Sequence, residues 1–312
     1  MSNNSTTDFS YSESQINQVI IMSSLSAIFS LYYIVLYFHY YKEASKRVSL
    51  EVLFYFMLSN FLTSIGSAVG LPSYSGFACW WEGIMTNVFS LSGVLWIVVL
   101  TYILFSIISH VKFTLNKFHH LFCWGIPIIA TFLPLINSTY GPPSGEGIPG
   151  WCWVVDTENS PEWAAEVWYW VSYYAWIWIS IFSIFLLILL MCYKFFYQVS
   201  TVSVTYTQST KKNFNRSILN LAFYPLIILI CWLPCSIADY IQYSEVDIPI
   251  DPNLRAAFTT LSSSMGFMSS LVFVATDTFF IRKLKNLPII STNSKSKARV
   301  SEMSQSKTVD TV

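Results

Sequence analysis

The chain has 312 residues, of which 54% are hydrophobic, 18% aromatic and 11% charged, with a mean hydropathy of +0.51. A soluble domain carries roughly a quarter charged residues, so most of this chain faces something other than water; a nucleic-acid binder, a secreted disulfide scaffold and a disordered regulator are excluded. The net charge is zero, from 17 Lys+Arg and 17 Asp+Glu, and the information lies in where each sign falls.

Residues 1–16 are polar, with neither a basic leader region nor a small-residue cleavage site, and are expected to form an extracellular N-terminal segment ahead of an uncleaved anchor. Asn3 and Asn4 head glycosylation sequons there. A spanning helix needs about 20 largely apolar residues. Seven stretches qualify: 17–40, 48–69, 79–109, 118–136, 165–195, 217–242 and 256–281. They are far longer than barrel strands, so the expected fold is an all-α membrane protein, a seven-transmembrane helix bundle. The third and fifth stretches approach 30 residues and are expected to tilt or project.

Sixteen of the seventeen Lys and Arg residues fall in alternate connections and the C-terminal tail, leaving Arg255 alone on the other side. By the positive-inside rule the N-terminus is outside and the C-terminus cytoplasmic. Lys112 and Lys117 follow span 3, and Lys211, Lys212 and Arg216 follow span 5, which makes these five the inward-facing basic surface.

Span 3 opens with Cys79, and Glu82, Thr86 and Ser90 recur along one face of it at four-residue spacing. The connection 137–164 begins at a third sequon, Asn137, and its Gly141-Pro142-Pro143-Ser144-Gly145 run prevents helix throughout. Cys79 and Cys152 are the two cysteines placed in the oxidising compartment, while Cys123, Cys192, Cys231 and Cys235 lie in spans, so a Cys79–Cys152 bridge is expected. Trp151, Trp153 and Trp163 beside Asp156, Glu158 and Glu162 read equally as an interfacial aromatic belt or as a lid over a ligand cavity.

In span 6, Trp232, Ser236 and Asp239 share a face, and Pro225 and Pro234 each remove a helical hydrogen bond. If this face and that of Glu82, Thr86 and Ser90 turn inward, they line one outward-opening ligand cavity with Trp232 towards its floor; the alternative is polar packing between helices. After span 7, Phe279–Leu287 reads as a short amphipathic helix on the inner leaflet, bound to membrane lipids, and 288–312 as a disordered Ser/Thr-rich cytoplasmic tail. The domain organisation is therefore 1–16, a receptor domain 17–287, and the tail 288–312.

Cys79-Trp80, Leu91-Ser92 with Leu95-Trp96, Tyr224-Pro225-Leu226 and Cys231-Trp232-Leu233-Pro234 resemble G-protein-coupled receptors, within them the slime-mould cyclic-AMP-receptor-like group, over residues 17–287. Span 3 ends without Asp-Arg-Tyr and span 7 without Asn-Pro-x-x-Tyr, unlike rhodopsin-like receptors. The resemblance implies a plasma-membrane receptor with Trp232 and Pro234 as the activation switch and a heterotrimeric G protein as partner, with a kinase and an arrestin-like protein on the tail. Its namesake ligand, cyclic AMP, is anionic, and Arg255 is the single outside cation, so Glu82, Glu166 and Asp239 favour a neutral or cationic ligand.

Span 7 has no lysine for a retinal Schiff base. His39, His110, His119 and His120 pair with no carboxylate at metal-ligand spacing, so no catalytic residue, metal or cofactor is expected. A seven-span small-solute transporter is the alternative.

Overall fold

The computed structural model describes residues 12–68, 76–137, 139–141, 152–155, 160–161, 163–201, 208–243 and 251–276. The amphipathic helix, the tail and the sequons at Asn3 and Asn4 lie outside the described residues. Residues Met1–Ser270 form one compact unit and Leu271–Val312 a second, which enters the description only as a helix end.

In chain order the helices are α1 (Glu13–His39), α2 (Tyr41–Ala44), α3 (Val48–Ser67), α4 (Phe77–Ile108), α5 (Lys117–His120), α6 (Ile126–Phe132), α7 (Ala164–Tyr169), α8 (Ala175–Thr201), α9 (Gln208–Tyr243), α10 (Pro252–Ser263) and α11 (Met265–Thr276). A π-helical turn, Leu121–Gly125, joins α5 to α6, and another, Trp170–Tyr174, joins α7 to α8. Six spans result, Glu13–His39, Val48–Ser67, Phe77–Ile108, Lys117–Asn137, Ala164–Lys194 and Ala222–Ile241, and the bent pair α10–α11 supplies the seventh of a seven-helix bundle.

Span 1 begins four residues earlier than its apolar run because Ser12 and Gln15 close a capping box that satisfies the first turn. The largest departure is span 7. It starts by residue 253, capped by Asp251, and turns by 49° at Ser264 where one continuous helix was expected. The basic connection after span 5 is also shorter than its charge suggested: α8 runs to Thr201 and α9 starts at Gln208, so Lys194, Lys211, Lys212 and Arg216 sit on helices. Lys and Arg are good helix formers, and nothing obliges a helix to stop at the bilayer surface.

Span 3 is the hub. About 78% of its apolar window is buried, against 28 to 44% in the other five long spans, which turn many apolar side chains outward for lipid to cover. Trp96 is fully buried, stacked on Tyr55 at 4.7 Å and met edge-on by His120 at 5.2 Å, so His120 packs into the bundle.

The C-terminal end of α4 closes in a Schellman motif: Val111 N–H donates to the Ser106 carbonyl and His110 N–H to that of Ile107. The motif needs a left-handed residue, and His110 takes it at φ 56° where glycine is usual. His110→Gly is expected to raise stability by about 1 kcal/mol, measured by unfolding in mixed micelles.

Candidate functional site

The site is assembled where the connection after span 4 folds back onto span 3. Cys79 and Cys152 form a disulfide with their Cα atoms 5.1 Å apart, as expected. Strands β1 (Tyr140–Gly141) and β2 (Trp153–Val154) pair antiparallel, Tyr140 opposite Val154 and Gly141 opposite Trp153. The ribbon is seated on α4: a Cβ at Gly83 would lie 3.0 Å from the Cys152 carbonyl and 3.1 Å from the Tyr140 ring, so only glycine lets it come this close. Tyr140 donates to the Thr131 carbonyl at 3.1 Å and accepts from Asn87 Nδ2 at 3.1 Å. Burial pushes its phenol pKa up, so the hydroxyl keeps the proton it donates.

Glu82 is fully buried, and its Oε2 accepts the Cys152 N–H at 3.1 Å while Oε1 has no partner among the described residues. Its observed contact is with the ribbon. Thr86 donates back to the Glu82 carbonyl at 2.6 Å, and its methyl lies 3.4 Å from where a Cβ on Gly66 would be, so it faces the second span.

The remaining expected residues converge on two tyrosines. Ser90 Oγ and the Tyr173 hydroxyl are hydrogen-bonded at 2.8 Å, and the Tyr173 ring lies 5.9 Å from Trp232 and 4.8 Å, edge-on, from Trp153. Next to it, Tyr174 donates to Asp239 Oδ2 at 2.6 Å and stacks on Tyr169 at 4.2 Å. Cys235 Sγ reaches Asp239 Oδ2 at 3.6 Å, and Arg255 pairs with Asp239 Oδ1 at 3.5 Å. Trp232 Nε1 donates to Met265 Sδ at 3.2 Å. Ser236 is buried, and its hydroxyl has no partner among the described residues.

Structure thus brings Ser90, Trp232 and Asp239 together through Tyr173 and Tyr174, which sequence reasoning had not assigned to the site, and adds Trp153, read there as belt or lid, and Arg255, read there as the outside cation. Consecutive tyrosines are 100° apart on an α-helix, and the π-helical turn Trp170–Tyr174 turns both inward. The available signal was the polar aromatic run Tyr169-Trp170-Val171-Ser172-Tyr173-Tyr174 inside span 5. Asp239 faces a cation rather than standing open, and Glu166 is exposed on α7.

Elsewhere, Asn137 Oδ1 accepts the Trp168 indole N–H at 2.9 Å, and Lys112 and Lys117 are exposed beyond α4. Lys194 Nζ donates to Ser109 Oγ at 2.9 Å over the Phe105 ring, tying the C-terminal ends of spans 3 and 5. Pro225 and Pro234 lie inside α9. Among the described residues no group of three His, Cys, Asp or Glu side chains could hold a metal.

The sequence profile of a family described as the slime mold cyclic AMP receptor matches residues 8–295. Cyclic AMP receptor-like protein A of Dictyostelium discoideum is 25% identical over 85% of this chain and 66% of its own length. Cyclic AMP receptor 2 of the same organism is 25% identical over 64% of this chain and 49% of its own. The chain thus spans about half to two thirds of the length of these curated relatives. A plant protein, G-protein coupled receptor 1 of Arabidopsis thaliana, is 30% identical over 42% of this chain and 39% of its own. Among solved structures, squid rhodopsin superposes with a TM-score of 0.65 at 11% identity, over 87% of this chain and 83% of that one, a likeness of fold.

Proposed function

The chain belongs to the slime-mould cyclic AMP receptor family, and on that premise we propose that it is a G-protein-coupled receptor of the plasma membrane, with its N-terminus outside. An extracellular ligand meets the disulfide-tethered ribbon, and helix rearrangement presents the inner surface near Lys112, Lys117, Lys211, Lys212 and Arg216 to a heterotrimeric G protein. The observation that carries this reading is the continuous contact from ribbon to bundle centre: Trp153 on Tyr173, Tyr173 on Trp232, and Trp232 on Met265. A ligand that shifts Trp153 bears, through Tyr173, on Trp232, two residues before Pro234 in a helix where two prolines already remove hydrogen bonds.

The pairing of Asp239 with Arg255 supports a ligand of low net charge, since each ion already neutralises the other. Cyclic AMP itself would have to compete with Asp239 for the single outside cation.

The test is nucleotide exchange on a panel of G proteins, with the purified chain in nanodiscs. Trp232→Ala removes a ring contact worth about 1 kcal/mol, which is expected to shift a two-state population, and with it exchange, by about fivefold. Silence across the panel with broad ligand pools would remove the reading. A small-solute transporter is the second reading, and the 49° break in span 7 is the observation in its favour, because transporters use discontinuous spans. Solute flux in proteoliposomes discriminates the two.

A further inference from the structure

Span 7 breaks at Ser264 although it contains no proline beyond Pro252. In an unbroken helix the Phe267 N–H would donate to the Ser263 carbonyl, four residues back. Here the Ser26 hydroxyl of span 1 stands between them. It donates to the Ser263 carbonyl at 2.7 Å and accepts from the Phe267 N–H at 3.2 Å. A side chain inserted into the helical ladder is one of the few causes of a sharp kink. The ladder holds on both sides: Ser264 N–H donates to the Thr260 carbonyl at 3.1 Å, and Met268 N–H to that of Ser264 at 2.9 Å.

Two further features prepare the break. Thr259, Thr260, Ser262, Ser263 and Ser264 all return their hydroxyls to carbonyls three or four residues behind, which weakens and bends helices. Gly266 admits the incoming helix, for a Cβ there would lie 2.7 Å from Ser30 Oγ and 3.2 Å from the Ser26 Cβ. Ser26 itself is fully buried. The bend also places Met265, the first residue beyond it, with its sulfur on the Trp232 indole N–H.

We propose that Ser26 is the wedge that holds span 7 bent, and that withdrawing it lets the span straighten and carries Met265 off Trp232. Ser26 acts through the helix it bends and is a positioning residue. Only the signalling consequence rests on the receptor reading above; the wedge stands on its own geometry.

The test is double electron–electron resonance on the full chain in nanodiscs, with nitroxides at Leu254→Cys and Val274→Cys, both exposed, and the exposed native thiol removed as Cys192→Ser. Ten residues on either side of Ser264 make arms of about 15 Å, so straightening a 49° bend lengthens the distance by about 3 Å. Ser26→Ala is expected to move the population to the longer distance, and Ser26→Thr, which keeps the hydroxyl, to hold the original one. An unchanged distance in Ser26→Ala overturns the proposal. If that variant fails to fold, Gly266→Ala, whose methyl would meet Ser30 Oγ at 2.7 Å and the Ser26 Cβ at 3.2 Å and so push span 1 with its wedge away, is read by the same criterion. A lengthened distance accompanied by no nucleotide exchange in any sample, the unsubstituted chain included, leaves the wedge standing and counts against the G-protein reading instead.

Discussion

Cys152→Ser is expected to lower the stability of the folded chain by about 4 kcal/mol, the chain-entropy value for the 73-residue separation that the Cys79–Cys152 bridge closes. Equilibrium unfolding in mixed micelles measures it, and dithiothreitol on the unsubstituted chain should reproduce it. The loss is not confined to stability, because Cys152 immediately precedes Trp153, and Trp153 lies edge-on against Tyr173. The variant is therefore expected to lose ligand-driven exchange while keeping a basal level. The buried Glu82 carboxylate holds the same point of the ribbon through the Cys152 N–H. Glu82→Ala should accordingly cost less in the Cys152→Ser background than alone, the non-additivity expected of two ties to one segment. Equal costs in both backgrounds would show that Glu82 does not act through the ribbon.

Asp239→Ala should be the second most damaging substitution, costing about 2 kcal/mol. Three groups converge on this carboxylate: the Tyr174 hydroxyl, Cys235 Sγ and Arg255. A hydrogen bond to a charged group is worth about 1.5 to 3 kcal/mol. The side chains of Arg255 and Asp239 are 22% and 23% exposed, which holds the ion-pair contribution below that of a fully buried pair. Asp239→Asn keeps an acceptor for Tyr174 and should lose only part of the stability. A double-mutant cycle of Asp239→Ala with Tyr174→Phe is expected to return a coupling of about 1 kcal/mol. Additive losses would mean that the 2.6 Å contact contributes no energy of its own.

The two substitutions also show how unevenly the molecule could be read in advance. The disulfide was legible because topology decides it: once the spans are counted, Cys79 and Cys152 alone fall on the oxidising side. The Asp239 network was half legible. Its anion stood out as an ionisable residue in a span, and Cys235 one turn before it shares its face, but Tyr174 and Arg255 sit 65 residues before it and 16 after it, with no local pattern linking them. Thr86 shows how coarse spacing is. It shares a helical face with Ser90 by spacing, yet a face is wide, and Ser90 meets span 5 while Thr86 meets span 2.

Charge and apolar length by themselves determined that the chain is a bundle of spanning helices and where each span lies along it. These follow from the thickness of a bilayer and the cost of burying charge, which act on each segment independently of the others. Tertiary structure alone decided that Tyr173 and Tyr174 both turn inward, that Asp239 faces Arg255, and that span 7 bends at Ser264 around the hydroxyl of Ser26. Those outcomes depend on the rotation of one helix against another and on one extra residue in a helical turn. A few hydrogen bonds between spans set that rotation, and hydrophobic length carries no record of it.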